Sequence, residues 1–369
     1  MDDECNPPLM DTYKHLFDDD NHPRSLRGLE AADDDDHECG LPVIDLAVLE
    51  QGGDAVAAEQ CRAKIVRAAS EWGFFQVINH GVCQALLDSL RDEQVRVFRR
   101  PFQRKVGEPL LDFSPESYRW GTPTATSLEQ LSWSEAYHIP MTPPSAAGHD
   151  DQVATADDED ENHIRYVIEE VSTAMSQLAQ QLASILIREL QGNDDDDDGM
   201  TKCCTWSTCF LRLNRYPPCR GSGGAFGLCA HTDSDFLTIL RPLDTVGGLQ
   251  LLKDGRWLTV KPNPGALVVN IGDLLQAWSN DVYRSVEHRV VAHPARERFS
   301  VAFFLCPSYD TVIRPHRRPE GNQIDSLYRS FTFGEYRSQI REDVRLTGRK
   351  IGLPRFRRHA SSPPVTQEL

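Results

Sequence analysis

The sequence predicts a mainly β protein with flanking helices: a double-stranded β-helix (jelly-roll, cupin-like) core with a helical region before it. Three observations lead there. After residue 203 the chain breaks into roughly eight short β-rich runs separated by Pro-Pro, Gly-rich and Asp-Gly turns, the number a double-sheet jelly roll needs. Before that point, apolar residues recur at helical spacing. Two histidines and an aspartate then fall on or beside the β-rich runs: His231-Thr232-Asp233, and His288 far downstream.

Taken in order, residues 1–40 are polar and acidic and read as a flexible arm. Leu41 to Leu46 reads as a short strand. Ala55 to Trp72 is helical, with Val56, Cys61, Ile65, Val66, Ala69 and Trp72 forming a stripe. Gly73 to Val82 is a strand ending in a turn, and a second helix runs from Cys83 towards Phe98, where Pro101 stops it. Residues 113–145 are aromatic and polar without clear period and read as loop or irregular strand. Ile164 to Leu190 is strongly amphipathic, with Val167, Val171, Met175, Leu178, Leu182, Ile185 and Leu190 on one face. Further on, Leu249–Leu252, a Lys253-Asp254-Gly255-Arg256 turn and Trp257–Val260 form a hairpin. Strands at Ala266–Gly272, Val286–Val291 and Phe299–Leu305 complete the core, and a last helix near Thr332–Asp343 packs back on it. The expected organisation is an arm (1–40), an N-terminal region (41–145), a long helix with an acidic loop (146–202), the jelly-roll core (203–312), and a C-terminal helix with a basic tail (313–369).

The chain has 369 residues, 40% of them hydrophobic, ordinary for a globular enzyme with one large core. Its net charge, 39 minus 56 or −17, argues against nucleic acid as a partner. Sixteen acids fall in three runs without Lys or Arg (Asp33–Asp36, Asp150–Glu161 and Asp194–Asp198), read as solvated loops. Ten cysteines form no Cys-x-x-Cys pair, several lie in apolar runs, and no apolar leader follows Met1-Asp2-Asp3-Glu4. The expectation is a reduced, cytoplasmic protein, with the nucleus left open, and no run of about 18 apolar residues to span a membrane.

Side chains alternate faces along a strand, so His231 and Asp233 would point the same way and share a metal with His288. Two imidazoles and one carboxylate on one face of an octahedral iron(II) leave three positions open, two for a 2-oxo acid and one for dioxygen. A dicarboxylate needs its far end anchored. Arg298 can grip it through two charge-assisted bonds, and Ser300, two residues on, adds a hydroxyl. Asn214 and Tyr216 share the same spacing and supply polar groups for the remaining oxygens. The turn at Pro294-Ala295 suggests that His288 and Arg298 are brought together by a hairpin. His80, His138 and His293 lack such a pattern.

Asn214-Arg215-Tyr216-Pro217-Pro218-Cys219, His231-Thr232-Asp233, His288-Arg289-Val290 and Arg298-Phe299-Ser300 resemble the plant iron(II)/2-oxoglutarate-dependent dioxygenases. Leu41–Leu46 and Trp72–Gly81 resemble that family's helical N-terminal region, so the likeness covers residues 41–355. Tyr118–Gly121, Ser132–Pro140 and Leu228–Asp235 are most similar to gibberellin 2-oxidases of the class acting on twenty-carbon gibberellins. The resemblance implies iron(II) on His231, Asp233 and His288, and 2-oxoglutarate on Arg298, Ser300, Asn214 and Tyr216. It also implies dioxygen as co-substrate, ascorbate as a support of activity, and a diterpenoid acid hydroxylated at its 2β position. Such a substrate needs apolar walls, for which Trp133, Tyr137 and Phe304 are candidates, and a partner for its carboxylate. The same chemistry on another plant metabolite such as a flavonoid, an ascorbate-dependent oxidase route, and a catalytically silent ligand-binding relative are the competing readings. Oligomeric state has no signal.

Overall fold

Period-2 patterning dictates the architecture. In Arg298-Phe299-Ser300-Val301-Ala302-Phe303-Phe304-Leu305, the odd residues Phe299, Val301, Phe303 and Leu305 join the main apolar core, while Arg298, Ser300, Ala302 and Phe304 line a cavity. The computed structural model describes residues 4–17, 38–49, 54–111, 113–141, 156–191, 204, 206–219, 224–243, 245–316 and 326–358.

The first half contains α1 (Leu9–Phe17), β1 (Glu38–Cys39), β2 (Val43–Asp45), α2 (Ala55–Glu71), β3 (Phe74–Ile78), α3 (Gln84–Phe98), α4 (Phe102–Gly107), β4 (Tyr118–Trp120), β5 (Glu135–Pro140) and α5 (Ala156–Gln191). Then come β6 (Phe210–Tyr216), β7 (Phe226–His231), β8 (Leu237–Pro242), β9 (Leu249–Lys253), β10 (Arg256–Val260), β11 (Leu267–Ile271), α6 (Asp273–Trp278), β12 (His288–Val291) and β13 (Arg298–Leu305). The short pair β14 (Val312–Ile313) and β15 (Phe331–Thr332) leads into α7 (Phe333–Thr347).

An eight-stranded sheet has the order β2-β3-β11-β8-β13-β6-β5-β4, and a five-stranded sheet the order β1-β10-β9-β12-β7. Phe74, Tyr216, Leu249, Leu251, Val260, Val268 and Val290, drawn from both sheets, pack together between them. The other face of the large sheet is buried under α2, α3 and α5, with Ile65, Leu90, Val171, Met175, Leu178 and Leu182 meeting Leu211, Leu213, Ile239, Val301 and Phe303. The eight core strands foreseen in the sequence are β6 to β13. The β9–β10 hairpin turns on Asp254 and Gly255, both at positive φ (50° and 75°), the two-residue turn whose twist matches paired strands.

The structure departs from expectation in four places. Residues 9–17 of the supposed arm are helical, because Leu9, Tyr13 and Leu16 form an apolar stripe that packs on Leu128, Leu131, Trp133 and Phe226. Pro101 ends α3 but also opens α4. Strands β2 to β5, from the N-terminal region, belong to the same sheet as the core strands, so the boundary at 203 divides no structural unit. Residues 156–161 of the second acidic run are the first turns of α5. The runs at 33–36 and 194–198 and the tail beyond 358 lie outside the described residues. Among the described residues no helix is long and apolar enough to cross a membrane.

Candidate active site

His231 is the last residue of β7, and His288 is the first of β12, directly across from it in the ladder. Strand pairing therefore sets the two imidazoles side by side, ring centroids 4.4 Å apart. Asp233 lies beyond the strand end, in the turn towards β8, so strand alternation does not aim it. Backbone and side-chain bonds do. Asp273 N donates to Asp233 O (3.0 Å), and Thr238 Oγ1 and Asn270 Nδ2 both donate to its Oδ2 (2.6 and 2.8 Å). Gly272 permits this approach, since a Cβ there would meet Asp235 O at 2.2 Å.

The other carboxylate oxygen, Oδ1, faces His231 Nε2 at 3.5 Å and His288 Nε2 at 3.8 Å. Each imidazole turns its Nδ1 to a carbonyl, Cys229 O at 2.8 Å and Val286 O at 3.0 Å. A carbonyl only accepts, so Nδ1 carries the hydrogen and Nε2 presents its lone pair inward. Burial, then the neighbouring His231, push His288 down to about 4 and keep it neutral. Burial alone would raise Asp233, but the two imidazoles and the Thr238 hydroxyl overcome it and hold the carboxyl well below the usual carboxylate range. Two imidazole nitrogens and one carboxylate oxygen, all within 4.8 Å of one another, suit a divalent metal; among the described residues no other trio of His, Cys, Asp or Glu converges this way.

The trio opens on a cavity of about 260 Å³ that Asn214, Tyr216, Arg298, Ser300 and Phe304 also line. The register pairs Arg298 with Tyr216 and Ser300 with Asn214. Asn214 Nδ2 lies 3.5 Å from Ser300 Oγ, and the Arg298 guanidinium sits 5.0 Å from the Tyr216 ring centre. Arg298 Nη1 is buried and has no hydrogen-bond partner. An orphaned guanidinium donor in a cavity is what a dicarboxylate's far end requires.

The comparisons with known proteins agree. Residues 207–307 match the 2OG-Fe(II) oxygenase superfamily, and residues 41–163 match the family described as non-haem dioxygenase in morphine synthesis N-terminal. The chain is 62% identical to gibberellin 2-beta-dioxygenase 5 of Oryza sativa subsp. japonica, over 96% of this chain and 98% of that one. It is 51% identical to gibberellin 2-beta-dioxygenase 6 of the same plant, over 88% and 87%. The crystal structure of JOX2 in complex with 2OG, Fe, and JA superposes with a TM-score of 0.62 at 33% identity, covering 82% of this chain and 86% of that one.

The chain belongs to the 2OG-Fe(II) oxygenase superfamily. As an oxygenase of this superfamily it is an oxidoreductase that uses iron(II) and 2-oxoglutarate, and the donor trio and the orphaned Arg298 fit those two groups.

The expected hairpin between His288 and Arg298 does not exist. β12 lies in the five-stranded sheet and β13 in the eight-stranded one, so the chain changes sheets at Pro294-Ala295 and the two residues face each other across the cavity. Of the three candidate walls, only Phe304 lines the cavity. Tyr137 points to the opposite face of β5 and is buried against Phe98 and Tyr118, with ring centroids 5.5 and 5.0 Å away. Trp133 packs edge-on against Phe17 (5.7 Å) in the cluster under α1.

Sequence reasoning missed Thr238, Asn270, Arg212, Arg337 and Lys350. The first three sit on strands at inward positions that alternation could have identified. Lys350 comes from the segment after α7: its Nζ donates to Thr232 O (2.8 Å) and pairs with Asp273 Oδ2 (2.6 Å), tying the chain's last described stretch to the loop between two members of the trio. No local pattern signals that.

Proposed function

We propose that this chain is a gibberellin 2-beta-dioxygenase, hydroxylating gibberellins at the 2β position and so inactivating them, with twenty-carbon precursors as the preferred class. One observation carries the reading: the His231–Asp233–His288 trio and the unpaired Arg298 donor share a single cavity. The relatives at 62% and 51% identity, named gibberellin 2-beta-dioxygenases, support the substrate class.

When bound, iron(II) and 2-oxoglutarate would serve to activate dioxygen, the oxidant: one oxygen atom would enter succinate as 2-oxoglutarate loses carbon dioxide, and the other a substrate C–H bond. The protein's residues bind and orient. His231, Asp233 and His288 hold the iron, Thr238 and Asn270 fix the Asp233 carboxylate, and Arg298 with Ser300 grips the distal carboxylate of 2-oxoglutarate. Asn214 and Tyr216 complete that seat, and apolar Phe74, Leu228, Leu240, Val290 and Phe304 limit water in the cavity. Ascorbate supports turnover in this reading. Buried thiols outside any disulfide, such as Cys61, Cys209 and Cys306, favour a reducing, cytoplasmic setting.

The test is anaerobic loading with iron(II) and 2-oxoglutarate, then oxygen and a panel of twenty- and nineteen-carbon gibberellins and flavonoids, with products read by mass spectrometry. A gibberellin gaining one oxygen, matched by one succinate, is expected. Succinate accompanied by a modified flavonoid would discard the hormone, and iron uptake without succinate would leave a silent relative.

A further inference from the structure

The cavity face of β6 carries a cation that the co-substrate seat does not use. Arg212 lines the cavity, paired in register with Ala302 of β13 on one side and His138 of β5 on the other. It stands four residues along the strand from Tyr216, the residue opposite Arg298, which at ~3.3 Å per residue is ~13 Å. Its Nε donates to Asn214 Oδ1 (2.9 Å), and among the described residues no carboxylate pairs with it. Burial lowers its pKa from the ordinary value, and the nearby Tyr216 and Asp233 offset that desolvation cost only in part.

A second guanidinium, Arg337 of α7, reaches the same cavity, also without a carboxylate partner among the described residues. Burial, then Arg212, Arg337 and Arg119, push the intervening His138 down to about 4, so it adds no further charge near neutral pH. One rung beyond Arg212 the lining turns apolar: Phe210 and Phe304 stack with centroids 4.3 Å apart, and His138 lies 4.3 Å from Phe210. Cations short of an anion beside an aromatic wall form the complement of a carboxylate on a bulky apolar body.

We propose that Arg212, assisted by Arg337, seats the substrate's own carboxylate, as a second anion seat on the same strand face as the first. This rests on the dioxygenase reading, in which Arg298 takes 2-oxoglutarate, and assigns the second acid to a second cation. The substrate class it selects is a monoanionic or polyanionic apolar acid.

Anaerobic calorimetry tests it in the full chain. The iron(II)-loaded protein is titrated first with 2-oxoglutarate, then with a twenty-carbon gibberellin as free acid or with its carboxyls methylated. The wild-type chain should bind the acid at least about tenfold more tightly than the ester, as a charge-assisted bond implies. Arg212→Met should close that gap to within about twofold, Arg212→Lys should keep part of it, and Arg337→Met should narrow it. A gap that survives Arg212→Met, with only 2-oxoglutarate binding weakened, would mean that Arg212 serves Asn214 alone and would overturn the proposal, as would equal binding of acid and ester to the wild type. Absence of 2-oxoglutarate uptake would instead refute the reading of Arg298, and the acid–ester comparison would still decide the role of Arg212.

Discussion

Arg212 and Arg215 stand on one strand, the first facing the cavity and the second the helical layer. Arg215 is 2% exposed and fully engaged: Nη1 meets Glu135 Oε1 at 2.6 Å, Nε meets Glu297 Oε2 at 3.0 Å, and Nη2 donates to Asn6 Oδ1 at 2.8 Å. Glu135 in turn takes Lys105 Nζ and the Tyr118 hydroxyl, each at 2.5 Å, while Lys105 also donates to Cys5 O and Phe98 O. Arg99 closes on Glu297. On the cavity face, Arg212, Arg298 and Arg337 have no carboxylate among the described residues. On β6, then, the buried arginine of the helical face is paired with carboxylates and that of the cavity face is not, the contrast expected if a ligand completes the second. Because Arg215 and Glu297 directly adjoin Asn214, Tyr216 and Arg298, the paired face also steadies the strands that carry the unpaired one.

Substitutions on the two faces should therefore fail differently. The largest effect is expected for Asp233→Ala, which removes the anionic metal donor: succinate formation should disappear while circular dichroism stays unchanged. Substantial remaining turnover would remove Asp233 from the trio. Next comes Glu135→Gln on the paired face. It leaves the buried Lys105 without a carboxylate and Arg215 with Glu297 alone, a loss of about 3–5 kcal/mol that should lower the unfolding midpoint by roughly 5 °C. An unchanged midpoint would show that the network adds nothing to stability.

Arg298→Met on the unpaired face should do the reverse. KM for 2-oxoglutarate should rise by about one to two orders of magnitude, as expected for a lost charge-assisted bond, with little change in the midpoint. If the midpoint falls and KM does not, Arg298 belongs with the structural arginines. The smallest expected change is for Thr238→Val, which frees Asp233 Oδ2 of one donor. Iron(II) affinity should drop about tenfold, and equal affinity in the variant would make the Thr238 bond incidental.

Much of this was legible in the sequence where information is local and periodic. The eight core strands and the Asp254-Gly255 turn follow from alternation and turn chemistry, and Asn214, Tyr216, Arg298 and Ser300 share a face because they sit at even spacing on paired strands. Parity across different strands was not legible. Tyr137 and His138 are adjacent, and only the pairing of His138 with Arg212 shows that the histidine, not the tyrosine, lies on the cavity side of the sheet. The hairpin between His288 and Arg298 failed for a related reason: a turn signal at Pro294-Ala295 reports a reversal of direction but not a change of sheet. Helix α1 was hidden among acids, its three-residue stripe too short to stand out. The tie from Lys350 to Thr232 and Asp273 is long-range and polar, and no pattern in the chain announces it.

The most direct test of the contrast between the faces of β6 is a crystal structure of the chain with iron(II) and 2-oxoglutarate, grown anaerobically. The account predicts metal density between His231 Nε2, His288 Nε2 and Asp233 Oδ1, with the distal carboxylate of 2-oxoglutarate on Arg298 Nη1 and Arg212 left free of it. A 2-oxoglutarate carboxylate seated on Arg212 instead, or metal density away from the trio, would contradict it.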